Sequence, residues 1–171
     1  MKILHVADWH LGSPRSPYEN GVNLRSQDTL KCLEEMLRVA KEEKPDYALV
    51  CGDIFDKAEI RQARSHKEVL QARHMILELS KVSGQVIVMR GTPNHDSAEA
   101  FEELQAHFED MSDVHIVAAP QVLFFKDADI AVLPGFDKGI YRAACPGLSA
   151  EQENEVFTRE LFNIILGMKA Q

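Results

Sequence analysis

The chain has 171 residues, a formal net charge of −8 and three cysteines. This length suits one domain with a sizeable core, and the ordinary proportions of apolar and charged residues exclude a fibrous or disordered protein. No apolar run approaches the ~20 residues that span a bilayer, and the N-terminus has no secretory hydrophobic segment. The cysteines are too scattered for a disulfide framework. We therefore expect a reduced, cytoplasmic protein with no membrane partner.

Strands and helices alternate in the first part of the chain. Short runs rich in valine and isoleucine predict buried strands at 2–7, 47–51 and 85–90, each followed by glycine or aspartate. Apolar residues spaced three and four apart predict helices between these strands, at about 28–43 and 59–80. A third helix is predicted to begin at Ser97.

The later segments are more strand-like. Apolar runs at 114–118, 121–125 and 129–134 predict three further strands, and a last helix is predicted from about Ser149. The apolar stripe of this helix consists of Phe157, Leu161, Ile164, Ile165 and Met168. Residues 12–21 give the one long loop signal. The order of elements predicts an α/β protein whose sheet has helices on its faces.

Polar side chains follow the first three predicted strands, at the ends where open α/β sheets bind ligands. These residues are Asp8 and His10, then Asp53 and Asp56, then Asn94, His95 and Asp96. Carboxylate, imidazole and amide donors suit Mn, Fe, Zn or Mg rather than a metal that prefers thiolate. A carboxylate shared by two cations holds them about 3.5–4 Å apart, which is the spacing of two-metal phosphoester chemistry.

Each motif alone has a structural explanation. Asp-x-His occurs often on protein surfaces, and Gly-Asp-x-x-Asp after a strand is commonly a turn with a helix cap. Asn-His-Asp after a Gly/Pro turn is rarer, with function and structure evenly balanced. All three motifs in order, each after an apolar run, favour a metal site. The acidic net charge adds a requirement, because a phosphate-bearing substrate would need local cations to approach this chain.

The three motifs together resemble the first half of the calcineurin-like metallophosphoesterase signature, over about residues 1–135. The spellings DWHLGS and GDIFD resemble the Mre11/SbcD branch of DNA-repair nucleases. The resemblance implies a layered metallophosphoesterase sheet sandwich flanked by helices. It also implies two divalent metal ions, with Mn preferred over Fe, Zn or Mg, and hydrolysis of phosphodiester bonds in DNA.

The resemblance further implies a role for each matching residue. Asp8 and His10 resemble ligands of the first metal, Asp53 resembles the carboxylate that bridges both metals, and Asn94 resembles a ligand of the second. The resemblance implies that His95 contacts the scissile phosphate and protonates the leaving oxygen. It implies that Asp96 orients the imidazole of His95, and that Asp56 lies beside the phosphate or supports the metals.

The chain departs from the family pattern in two ways. Thr92 and Pro93 stand between the glycine and Asn94, and Pro93 restricts Thr92 to extended geometry. The family also has further metal-binding histidines, whereas no histidine follows His115 here. We therefore expect residues 1–171 to be the N-terminal portion of a single nuclease domain, in a fragment that holds half of the second metal's ligands.

The resemblance implies DNA and an SMC-like ATPase of the SbcC/Rad50 type as partners. It also implies a homodimer formed through helices near the metals, although ordinary core packing explains the apolar faces of 28–43 and 59–80 equally well. Two other functions stay open. One is a phosphatase or phosphodiesterase acting on a small phosphoester or a phosphoprotein, and the other is an inert fragment or scaffold.

Overall fold

The computed structural model describes residues 1–12, 17–56, 66–136, 139, 143 and 146–169. Eight strands and four helices lie in these ranges. In chain order they are β1 (Ile3–Val6), β2 (Tyr18–Glu19), β3 (Val22–Asn23), α1 (Leu24–Glu43), β4 (Tyr47–Cys51), α2 (Lys67–Ser80), β5 (Gln85–Met89), α3 (Ala98–Phe108), β6 (Val114–Val117), β7 (Gln121–Phe124), β8 (Asp129–Val132) and α4 (Ala150–Lys169).

A parallel sheet of four strands, in the order β1-β4-β5-β6, positions the polar loops. Ile3 pairs with Tyr47, Tyr47 pairs with Gln85, and Val86 pairs with Val114. Because the strands are parallel, their carboxyl ends lie at one edge of the sheet. The three predicted polar motifs follow β1, β4 and β5, so they lie side by side at this edge.

The two faces of the sheet are buried in different ways. Val50, Val86 and Val88 point to the face covered by α1, α2 and α3, where they join the main hydrophobic core. Tyr47 and Ile87 point to the opposite face, where the antiparallel β7–β8 hairpin packs on the sheet. Burial on both faces explains why these strands read as continuous apolar runs. The predicted α/β class with a helix-flanked parallel sheet is confirmed.

The predicted apolar faces of the first two helices are buried within the chain itself. Leu33 and Leu37 of α1 lie in the main core with Val69 and Ile76 of α2. Core packing therefore accounts for this periodicity without a dimer contact. The predicted start of the second helix at residue 59 lies outside the described residues, which resume at 66.

Two features differ from the sequence prediction. The predicted loop at 12–21 contains β2, which pairs with β3 in a hairpin, and these two-residue strands are too short to show any periodicity. Residues 13–16 of this loop lie outside the described residues. In α4 the predicted stripe marks a helix whose apolar face is only partly buried, with Phe157, Leu161 and Ile164 half-buried. Within the stripe, Met168 is buried and Ile165 is 45% exposed. Phe162 and Leu166, which lie beside the stripe, are 58% and 48% exposed. No described helix has the length and apolar character needed to cross a membrane.

Candidate metal centre

The loops after β1 and β4 are joined by main-chain hydrogen bonds. The amide nitrogens of Asp8, His10 and Leu11 donate to the carbonyls of Gly52, Asp53 and Ile54 at 3.1, 3.1 and 2.8 Å. In return, the amide of Asp56 donates to the Leu11 carbonyl at 2.9 Å. This ladder extends the β1–β4 pairing beyond the strands, and it fixes the first two motifs against each other.

Three predicted metal ligands have left-handed backbone conformations. The φ angles of Asp8, His10 and Asp53 are 57°, 45° and 49°. Residues other than glycine rarely adopt this region, and they persist there only where the surroundings hold them. Trp9, between the first two, provides such an anchor because it is only 4% exposed and lies in the main core. The indole thus fixes the loop that carries Asp8 and His10.

Asp8, His10 and Asp53 converge on one point. Each offers a ligand atom, and these atoms all lie within 4.8 Å of one another. Nε2 of His10 is 3.5 Å from Oδ1 of Asp8. Two carboxylates and an imidazole form an oxygen-rich donor set of the kind that binds Mn, Fe, Zn or Mg. The residues present therefore fit the divalent metal that the sequence motifs imply.

The other nitrogen of His10 faces Asp56. Nδ1 of His10 is 3.3 Å from Oδ1 of Asp56, and within the described residues this buried nitrogen has no well-aligned hydrogen bond. A metal-bound histidine commonly directs its second nitrogen to a carboxylate, which sets the tautomer and the ring orientation. The geometry suits Asp56 for that supporting task. His10, Asp56 and His95 also form a second group of donors within 4.8 Å.

Asp53 is held by the third loop. Oδ1 of Asp53 accepts hydrogen bonds from the amide of Thr92 at 2.7 Å and from the Thr92 hydroxyl at 3.1 Å. Gly91 permits this close approach, because a Cβ atom at that position would lie 2.1 Å from the Asp53 amide nitrogen and 2.2 Å from Oδ1. The sequence motifs do not predict this role of Thr92. The available signal was its position directly after the glycine.

Asp96 is fully buried and ties two loops together. Its Oδ1 accepts from the amide of Phe55 at 3.1 Å, and its Oδ2 accepts from the amide of Gly91 at 2.6 Å. Burial raises the pKa of Asp96, while these amide hydrogen bonds act in the opposite direction. Among the described contacts the carboxylate has none with the His95 ring, so the expected orienting hydrogen bond is not formed. Any influence of Asp96 on His95 passes through the loop backbone.

His95 lies against His10 instead. The two rings are in edge-on contact, with centroids 4.7 Å apart, and Nδ1 of His95 is 3.2 Å from the carbonyl oxygen of Asp56. The carbonyl of Thr92 accepts from the amides of His95 and Asp96 at 3.0 and 2.8 Å. This turn, which Pro93 suits by its fixed φ, brings His95 to the edge of the cluster of Asp8, His10 and Asp53.

Asn94 is the predicted metal ligand with the fewest contacts among the described residues. Its side chain is exposed and makes no hydrogen bond within the described ranges. The amide oxygen is therefore free to bind a ligand, and its role as a donor to a second metal stays a prediction.

Comparison with known proteins agrees with the motifs. The calcineurin-like phosphoesterase family matches residues 1–149. The chain is similar to the DNA double-strand break repair protein Mre11 of Aeropyrum pernix, with 32% identity over 102 residues, which cover 60% of this chain and 22% of that protein. It is also similar to the SbcD subunit of the nuclease SbcCD of Staphylococcus saprophyticus, with 29% identity over 99 residues, 58% of this chain and 24% of that protein.

The aligned regions thus span less than a quarter of the length of these two relatives. The family match is far more extensive, because it runs through all three polar loops and all eight described strands. The sheet, the converging donors and the matched sequence agree. The chain belongs to the calcineurin-like phosphoesterase family.

Proposed function

We propose that this protein hydrolyses phosphodiester bonds in DNA with the help of divalent metal ions, as a nuclease of the SbcD/Mre11 type. The convergence of Asp8, His10 and Asp53 on one point is the observation that carries the proposal. The names of the two relatives, a break-repair protein and a nuclease subunit, support DNA as the substrate.

On this proposal Asp8, His10 and Asp53 hold the first metal ion. Asp53 also contributes to a second ion, to which Asn94 adds its amide oxygen. The donor set is compatible with Mn, which the motif resemblance favours. Bound metals would supply a water nucleophile at neutral pH and would neutralise charge that develops on the phosphate.

His95 would handle the proton of the leaving group. With Nδ1–H donated to the Asp56 carbonyl, Nε2 of a protonated His95 would be the nitrogen that gives its proton to the leaving oxygen. Asp56 would serve His10 through its side chain and His95 through its main-chain carbonyl, which are 3.3 and 3.2 Å from the respective rings. Asp96 would keep the loops after β4 and β5 in register.

The proposal makes the two metal positions unequal in this chain. Among the described residues the first ion would have three side-chain ligands, whereas the second would have Asp53 and Asn94. We propose that residues 1–171 are the N-terminal portion of one nuclease domain and that an SMC-like ATPase of the SbcC/Rad50 type is its partner. The name of one relative describes it as a subunit of a nuclease, which supports a partner protein.

Substrate choice is tested with the protein expressed from its complete gene. We expect Mn²⁺-dependent cleavage of end-labelled linear duplex DNA that disappears in Asp8→Asn and is retained in Asp110→Asn, a matched change at an exposed acid beyond α3. Rapid hydrolysis of p-nitrophenyl phosphate without DNA cleavage would replace the nuclease by a phosphatase. Hydrolysis of neither compound would indicate an inert scaffold.

A further inference from the structure

The loop after β5 departs from the family motif, and the structure gives the first inserted residue a specific contact. Thr92 donates two hydrogen bonds to Oδ1 of Asp53, one from the amide at 2.7 Å and one from the hydroxyl at 3.1 Å. We propose that Thr92 is a positioning residue for the metal centre: its hydroxyl holds one oxygen of Asp53 so that the other oxygen is free for the metal. The inference rests on the metal centre proposed above.

The contacts of Asp53 are one-sided. Oδ1 receives both hydrogen bonds from Thr92, whereas Oδ2 accepts none from the described residues. Gly91 leaves the room that the same oxygen occupies, since a Cβ there would lie 2.2 Å from Oδ1. A carboxylate fixed through one oxygen presents the other in a defined direction, and such preorganisation lowers the ordering cost of metal binding.

Thr92 also connects Asp53 with the proposed general acid. The Thr92 carbonyl accepts from the amides of His95 and Asp96 at 3.0 and 2.8 Å, while its hydroxyl and amide hold Asp53. One residue therefore sets the distance between the metal carboxylate and the His95 ring. This arrangement gives the extra Thr-Pro pair a task that a turn alone would not require.

A purely structural turn uses only the main chain of Thr92, and the substitution Thr92→Val separates the two explanations. Valine keeps the amide, the carbonyl and the β-branched shape, and the extended geometry required before Pro93 suits it. Only the hydroxyl is lost. Thr92→Ser restores the hydroxyl, and Thr158→Val removes a hydroxyl on α4, where it bonds the Asn154 carbonyl at 2.8 Å.

The experiment measures Mn²⁺ binding to the 171-residue chain by calorimetry, with the thermal unfolding of each metal-free variant recorded alongside. Thr92→Val loses one hydrogen bond to a proposed ligand carboxylate, and its Kd for Mn²⁺ should therefore be about fivefold higher. Thr92→Ser and Thr158→Val should keep the Kd of the unaltered chain. The unfolding temperature of metal-free Thr92→Val should stay close to that of the unaltered chain.

Three other outcomes would each overturn the inference, and each identifies a different reason. An unchanged Kd in Thr92→Val shows that the hydroxyl has no positioning role, while the metal centre itself stands. Equal weakening in Thr92→Val and Thr92→Ser assigns the effect to packing rather than to the hydroxyl. An absence of Mn²⁺ binding to the unaltered chain removes both the role of Thr92 and the metal centre on which it rests.

Discussion

Asp53 and His95 lie in the same small site, yet the proposed mechanism gives them different tasks. Asp53 offers an oxygen within 4.8 Å of donor atoms of Asp8 and His10. Among the described contacts, His95 meets these proposed ligands through the ring of His10. In the protein expressed from its complete gene, His95→Ala should therefore lower turnover on DNA by about 10²–10⁴-fold, the typical loss for a general acid, and should leave bound metal largely intact. Asp53→Ala should lose both activity and metal.

Metal content by atomic emission and steady-state cleavage rates, measured on the same preparations, decide this prediction. Asp110→Ala, at an exposed position outside the site, is the matched control for Asp53→Ala. Equal metal loss in the His95 and Asp53 variants would contradict the division of roles and would place His95 among the ligands, with His10 and Asp56.

The site residues divide into those that a motif can reveal and those that it cannot. The convergence of Asp8, His10 and Asp53 is detectable, because these residues follow apolar runs whose strands end at one edge of the sheet. The contact of Thr92 with Asp53 is not detectable, since it depends on how closely Gly91 lets two loops approach. The contacts of Asp96 escape prediction for the same reason: it is adjacent to His95 in sequence, but its carboxylate bonds to the amides of Phe55 and Gly91.

At the level of elements, the spacing of apolar residues predicts that a helix or strand exists better than it predicts whether the apolar face of that element is buried. The predicted strands at 47–51 and 85–90 match β4 and β5 closely, because both are covered on two faces and are apolar except for Gln85 at the start of β5. The helix predicted to begin at Ser97 is α3, and the Ser97 hydroxyl caps it by accepting from the Ala100 amide at 3.1 Å. The stripe of α4 predicts a helix correctly, but burial also requires a surface that packs against the stripe.

The β7–β8 hairpin is fastened to the sheet by one polar link as well as by apolar contacts. The hydroxyl of Tyr47 in β4 donates to Oδ1 of Asp127, in the hairpin turn, at 2.5 Å. This hydrogen bond, with a smaller contribution from burial, raises the pKa of Tyr47 to about 12. The phenol must be protonated to donate, so the link holds the hairpin only while Tyr47 is neutral.

Tyr47→Phe should reveal a stability difference that depends on alkaline pH. The pKa in the folded state lies above the unfolded value of about 10, so the bond contributes fully below pH 10 and is lost as the pH rises through about 12. Melting temperatures should therefore be lower for Tyr47→Phe than for the unaltered chain at pH 7–9, and the two should converge towards pH 12. Tyr18→Phe, at a tyrosine that is 64% exposed, is the control. A difference that does not change with pH would assign the effect to packing alone.

At the level of the whole molecule, net charge and proposed substrate are in conflict. The chain carries a formal charge of −8, and four of its carboxylates, those of Asp8, Asp53, Asp56 and Asp96, lie at one edge of the sheet. DNA-binding proteins usually attract the phosphate backbone with a basic surface. Here the acids at the sheet edge repel phosphate until cations occupy the site, because bound metal ions are the largest local charges.

DNA binding by this protein should consequently require the metal. At physiological salt, charges more than about 8 Å apart are largely screened, so the local charge of the site outweighs that of distant surface acids. We expect a short fluorescent duplex to bind at least about tenfold more tightly in Mn²⁺ than in EDTA, measured by anisotropy with the His95→Ala variant so that the DNA stays intact. In the double variant with Asp8→Asn the gain from Mn²⁺ should largely disappear, whereas Asp110→Asn should preserve it. Equal affinity in Mn²⁺ and EDTA would mean that a surface away from Asp8, His10 and Asp53 binds the DNA, and the metal centre would then have no part in holding the substrate.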